Sequence, residues 1–342
     1  AVAAAVALIA AGLAWRDAPG DDDTRTYILA TATTGGTFYP VGVAIATLTK
    51  QVLADRHGVS LAAISSAGSQ ENLRLMRSGE AQFAILQGLY GAWAWHARGR
   101  LAGEEPFTGL RSVSALWPNV EHFVIRREFV ETGNVDDLAN LAGRRFSIGA
   151  RYSGTEGSNR HILEALGMDP DERFNLVHQG YGASADAFRN HMIDGMNTPA
   201  GVPVGAVTRV MAASGDEAVI LAFTDSDLAA VNRDYPGLYR FVDIEAGTYP
   251  HQNETVRTIG QANLLATTAE VPEEHVYRVL RTMYENLSFL HAFHAATRAM
   301  QPETALDGLP VPLHPGAVRF YRELGLDIPE RLLPPGIRED EP

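Results

Sequence analysis

The chain has 342 residues, 46% hydrophobic and 20% charged, a balance that excludes a disordered chain and suits one large domain or two ordinary ones. A formal net charge of -13, with Lys50 as the only lysine, leaves no cluster of positive charge to hold a phosphate backbone and argues against nucleic acid as a partner. There is no cysteine, so disulfides, zinc–thiolate sites and thiol nucleophiles are excluded together.

Ala1–Trp15 is an unbroken apolar run, followed by Arg16, Asp17 and a polar stretch through Asp23. It is short for a bilayer span and has the length of a signal-peptide core. Residues 1–26 are therefore expected to be a signal peptide or N-terminal anchor plus linker, with Gly12-Leu13-Ala14 as a cleavage site. An Ala-rich core helix is the alternative. Beyond it, Tyr27–Thr33 reads as a strand, and Val41, Ile45, Leu48 and Val52 fall on one helix face. Val59–Ile64 and Ala81–Gln87 read as strands, with helices over Ser69–Ser78 and Tyr90–Arg98. This cadence predicts a parallel sheet covered by helices.

The cadence restarts at the strand-like Arg145–Ala150. A helix over Thr155–Leu166, a strand over Phe174–His178, helices over Ala183–Asn190 and Val204–Ala213, and a strand over Val219–Phe223 follow. Thr258–Thr267 is β-rich, Val276–Leu290 reads as one helix, and the proline-rich Pro310–Pro315 is expected to pack along a surface. Two α/β blocks with a crevice between them are the simplest architecture.

Three strand-to-helix turns share one chemistry: Thr34-Gly35-Gly36-Thr37, Ser65-Ser66-Ala67-Gly68-Ser69 and Arg151-Tyr152-Ser153-Gly154-Thr155. Small residues, hydroxyls and free main-chain N–H groups at a helix start bind anions without any lysine or arginine. Ordinary capping accounts for Ser and Thr at one such turn, less readily at three. Gly35-Gly36-Thr37 lacks both the lysine of a phosphate-binding loop and the dinucleotide glycine pattern, and no serine sits in a nucleophile elbow. His291 and His294 read as a solvent-facing helix pair, and Asp136-Asp137 as exposed loop charges. No metal or cofactor is expected.

Six stretches occur in order: Gly35–Pro40, Gly68–Leu73, Ser78–Ala81, Ser153–Glu156, Gly180-Tyr181-Gly182 with Asp186, and Asp307–Gly316. Together, from about residue 27 to about residue 325, the chain resembles the TAXI family of extracytoplasmic solute receptors. These serve tripartite ATP-independent periplasmic (TRAP) transporters. The resemblance implies a type II periplasmic-binding-protein-like α/β fold: residues 27–125 with 240–342 form lobe I and residues 126–239 form lobe II, with the cleft at the hinge. It implies a periplasmic, non-catalytic monomer that captures a small organic anion, such as glutamate, 2-oxoglutarate or another dicarboxylate, and delivers it to a sodium-driven permease. The implied ligand contacts are Gly36, Thr37, Tyr39, Ser69, Asn72 and Gln87 in the first lobe. In the second they are Gly154, Thr155, Glu156, Tyr181, Pro199, Ala200 and Gly201. Gln87-Gly88-Leu89 stands where the family often has Gln-Ser-Asp, and Phe38 where tyrosine is frequent. A membrane-anchored ligand sensor and an enzyme on the same scaffold are the alternatives, the latter with only Glu156, Tyr181 and Asp186 as candidate reactive groups.

Overall fold

A computed structural model describes residues 24–336; the expected leader or anchor lies outside the described residues. The chain begins with β1 (Arg25–Ala30), α1 (Phe38–His57), β2 (Val59–Ile64), α2 (Ser69–Arg77), β3 (Phe83–Gln87), α3 (Gly88–His96) and β4 (Leu110–Val120). It crosses into β5 (Phe123–Arg126), β6 (Arg145–Ser147), α4 (Gly154–Ala165), α5 (Pro170–Arg173), β7 (Asn175–Val177), α6 (Tyr181–Arg189), β8 (Gly195–Asn197), α7 (Gly205–Ser214), β9 (Ala218–Ile220) and α8 (Asp225–Val231). It returns through β10 (Tyr239–Ile244), β11 (Val256–Thr268), α9 (Glu273–Glu285), α10 (Leu287–Phe293) and α11 (Pro315–Glu323). Among the described residues no helix is long and apolar enough to cross a membrane.

The strands form two sheets, one of six strands and one of five. In the first, β2, β1 and β3 run parallel, as the cadence predicts. The sheet as a whole is mixed, because β11 runs antiparallel to β3, β10 and β4. The second sheet is mixed too: β7, β6 and β8 are parallel, and β5 pairs antiparallel with β8 and β9. The expected parallel sheet is therefore extended in the first sheet by antiparallel strands, because the returning strand enters from the far sheet and meets β3 head to tail. The chain passes between the sheets at Glu121 and His122. This crossing is tied to the return strand by Glu121 N–H to Ile259 C=O (2.9 Å) and by Thr258 Oγ1 to Glu121 C=O (2.9 Å).

Local chemistry explains the elements near the cleft. Helix α1 buries Val41, Ile45 and Leu48 from its predicted face, with Val52 half-buried beside them. Each such burial is worth roughly 1.5–3 kcal/mol. The helix stops at Gly58, whose φ of 61° is left-handed and whose N–H closes on Ala54 C=O. Strand β4 escapes sequence reading because Pro118 interrupts it; the proline is exposed and sits beside a register shift between Ala262 and Leu264.

Other expectations need correction. The helix over Val276–Leu290 is two helices, broken at Asn286, whose side chain donates to Thr282 C=O. The proline-rich segment enters the core: Val311 and Leu313 are buried, and Leu313 bridges β4 at Ser112. Asp137 is buried and accepts from the N–H groups of Glu131, Thr132 and Gly133. Burial alone would raise its pKa, but those hydrogen bonds outweigh it and hold the carboxyl below its usual range. His294 lies beyond the end of α10, where its Nδ1 accepts from Ala296 N–H; it does not pair with His291 on a wet helix face.

Candidate functional site

Four helices begin at one narrow cleft between the two sheets. Its lining includes the starts of α1 (Thr37, Phe38), α2 (Gly68, Ser69), α4 (Ser153, Gly154) and α6 (Gly180, Tyr181). Each start presents unpaired main-chain N–H groups and about half a positive charge. Only α4 carries a side-chain cap, Ser153 Oγ accepting from Glu156 N–H at 3.1 Å. The starts of α1, α2 and α6 have none. Among the described residues lining the cleft, none is Lys, Arg, Asp or Glu. The positive potential there therefore comes from backbone alone. About 40 Å³ admits the centre of a water-sized sphere, against roughly 10–15 Å³ for a single water. This conformation suits a small molecule.

The two sides approach closely because glycine stands at the contact. A Cβ on Gly154 would lie 2.8 Å from Gln87 Oε1 and 2.8 Å from Ser69 Oγ across the gap. Gly68, at φ +121°, would bring one to 3.4 Å from Gly154 N, in a backbone region closed to side chains. Tyr181 organises the second side. Its hydroxyl donates to Pro199 C=O at 2.5 Å and accepts from Thr155 Oγ1 at 2.9 Å. Burial pushes this phenol above its ordinary pKa, with the hydrogen bond from Thr155 opposing, so it stays neutral. Tyr90 of α3 bridges the gap, donating to Ser153 C=O at 3.3 Å.

Nine of the residues implied by the resemblance line the cleft: Gly36, Thr37, Ser69, Gln87, Gly154, Thr155, Tyr181, Pro199 and Ala200. Four do not. Tyr39 is half-buried on the first turn of α1. Gly201 packs against Trp117 and Ala296, where a Cβ would come within 2.4 Å of Ala296. Glu156 turns away to accept from Tyr152 N–H (3.1 Å), with Arg160 and His178 at 3.6 Å and Arg100 at 3.9 Å. Asn72 is buried behind the loops: its Nδ2 donates to Thr31 C=O (2.6 Å) and Ile85 C=O (2.9 Å), and its Oδ1 accepts from Ser66 Oγ (2.6 Å). It ties the ends of β1 and β3 to the α2 loop. Asn72→Ala is expected to cost about 2–3 kcal/mol by removing these buried hydrogen bonds. Urea unfolding would measure this, and an unchanged midpoint would refute the role.

Leu89 also points away from the cleft. It is fully buried in the core, and its N–H is held by Gln261 Oε1 at 2.7 Å. Its substitution for an acid therefore leaves the lining unaltered. Sequence reading missed two features of the site. The start of α6 falls at Tyr181, with Gly180 as its N-cap, two residues before the expected start at Ala183. Asn119 lines the cleft from β4, a strand the sequence reading did not assign.

Solved structures share this architecture. MatC from Rhodopseudomonas palustris, solved with bound malate, is 14% identical, with a TM-score of 0.52 over 88% of this chain and 97% of its own. The periplasmic aliphatic sulphonate binding protein SsuA from Escherichia coli is 11% identical, with a TM-score of 0.44 over 78% of this chain and 74% of its own. An amino acid ABC transporter substrate-binding protein from Streptococcus pneumoniae, bound to L-arginine, is 14% identical, with a TM-score of 0.45 over 81% and 95%. The fold, two mixed sheets flanked by helices, is shared with MatC. A family model described as NMT1-like matches residues 29–325, most of the sequence, and the chain belongs to that NMT1-like family.

Proposed function

We propose that this chain is an extracytoplasmic solute receptor of the TAXI type, exported to the periplasm and serving a TRAP transporter. It binds without catalysis, taking a small organic anion between its two lobes and passing it to a sodium-driven permease. The observation that carries the reading is the convergence of four helix starts, three without side-chain caps, on a cleft lined by no charged side chain. A carboxylate placed there accepts main-chain N–H bonds and lies at the positive ends of the helices. Closing the gap strips water from those bonds and strengthens them. The ordered motifs at Gly35–Pro40, Gly68–Leu73 and Ser153–Glu156 support the TAXI assignment.

A thermal-shift screen with dicarboxylates, 2-oxo acids and acidic amino acids tests it. A true ligand at a hundredfold excess over its Kd is expected to stabilise the chain by about 2.7 kcal/mol. No shift with any carboxylate would overturn the reading.

A further inference from the structure

Two residues that line the cleft, Gln87 and Asn119, and two on the strands behind it, Asn263 and Glu121, carry buried hydrogen-bonding groups that the described residues leave unused. Gln87 Oε1, both polar atoms of Asn119, both of Asn263, and Glu121 Oε1 meet no hydrogen-bond partner. All four residues are at most 3% exposed. Folded proteins rarely leave such atoms unmatched, and a bound water, ion or ligand is one way they are satisfied.

Strand register brings the four together. Gln87 of β3 stands opposite Asn263 of β11, and Asn119 of β4 stands opposite Gln261 of the same strand. Positions 261 and 263 share one face of β11, because side chains alternate along a strand. Gln87 and Asn119 line the cleft, so that shared face is the cleft floor. Glu121 lies two residues beyond Asn119, on the same alternation. The pairs Val120–Ala200 and Phe123–Asn197 flank it and place it opposite Pro199, itself a lining residue. One oxygen, Glu121 Oε2, accepts from Asn197 Nδ2 at 2.6 Å; the other is unmatched.

We propose that Gln87, Asn119, Asn263 and Glu121 form a specificity subsite that receives an ammonium group, so that the captured solute is a small zwitterion. Its carboxylate sits on the helix starts and its ammonium on the floor. The inference rests on the carboxylate-binding reading above and narrows it. The unmatched floor atoms are mainly oxygens, from Gln87, Asn119, Asn263 and Glu121, and an ammonium offers three donors and no acceptor. With no Arg or Lys among the lining residues, an ammonium seated there is also the partner that lets the Glu121 carboxyl ionise.

Calorimetry on the chain with matched pairs of probes tests this: L-glutamate with 2-oxoglutarate, L-alanine with pyruvate, and L-leucine with 4-methyl-2-oxopentanoate. In at least one pair the amino acid is expected to bind tenfold or more tightly than its oxo acid. Glu121→Gln and Asn119→Ala are each expected to shrink that ratio at least fivefold, with circular dichroism confirming that both variants fold. Equal or tighter binding of the oxo acid in every pair overturns the subsite while leaving the carboxylate reading standing. So does a ratio unchanged in both folded variants. Binding of no probe overturns the carboxylate reading and the subsite with it.

Discussion

Gly154→Ala is expected to weaken ligand capture at least tenfold, or about 1.4 kcal/mol, while leaving the ligand-free chain folded. Gly154 is the first residue of α4, a position where alanine suits the helix at least as well as glycine. The added methyl would nonetheless project across the cleft to 2.8 Å from Gln87 Cδ and from Ser69 Oγ. Ordinary contacts to a Cβ lie beyond about 3.4 Å, so something must move. If the two sides part, the helix starts no longer reach one anion together. If Gln87 swings aside instead, the cleft loses a lining side chain whose neighbours are fully packed. Both responses degrade the same site. Calorimetry with the ligand found by screening would measure the loss, and wild-type affinity would show that the closed cleft is not the binding geometry.

Glu121→Gln is expected to make the ligand-free protein more stable above neutral pH and to flatten its pH profile. Burial pushes the Glu121 carboxyl up to about 8 from a usual 4.5, and the Asn197 hydrogen bond only partly opposes this. The groups facing it are neutral: the Asn197 amide and the hydroxyls of Tyr181 and Tyr239. Below pH 4.5 the folded and unfolded chains both hold this proton. Between 4.5 and 8 the unfolded chain releases it and the folded chain keeps it, so stability falls as pH rises through that window. The loss from this one group is on the order of 4 kcal/mol. Glutamine keeps an oxygen for Asn197 and carries no proton to lose. Urea midpoints of both proteins at pH 5 and pH 8 would measure the gap, which should widen with pH. Parallel profiles would refute a buried neutral carboxyl at the crossing.

Much of the cleft was legible because helix starts are local. Gly35-Gly36-Thr37, Gly68-Ser69 and Ser153-Gly154 announce themselves by composition within a few residues, and the structure brings all three to one gap. Asn72 and Glu156 belong to the same motifs, yet they serve the loops that carry the site. A polar residue in a helix's first turn can face a ligand or brace its own backbone, and spacing alone does not separate the two. Asn119, Glu121 and Asn263 were illegible for the opposite reason. Asn119 and Asn263 sit on strands, and Glu121 just beyond one, whose neighbours come from distant parts of the chain, as when β11 meets β3, β4 and β10.

Periodicity and local composition along the chain were enough for the α/β alternation, the buried face of α1 and the glycine- and hydroxyl-rich helix starts of three turns. These depend on contacts within one or two turns of chain, where residue type and spacing act directly. The tertiary structure alone decided that the sheets are mixed, that Tyr181 begins a fourth helix at the cleft, and that an uncompensated glutamate lies at the crossing. Strand pairing and burial arise from which distant segments cover one another, and that choice leaves no local trace in residue order.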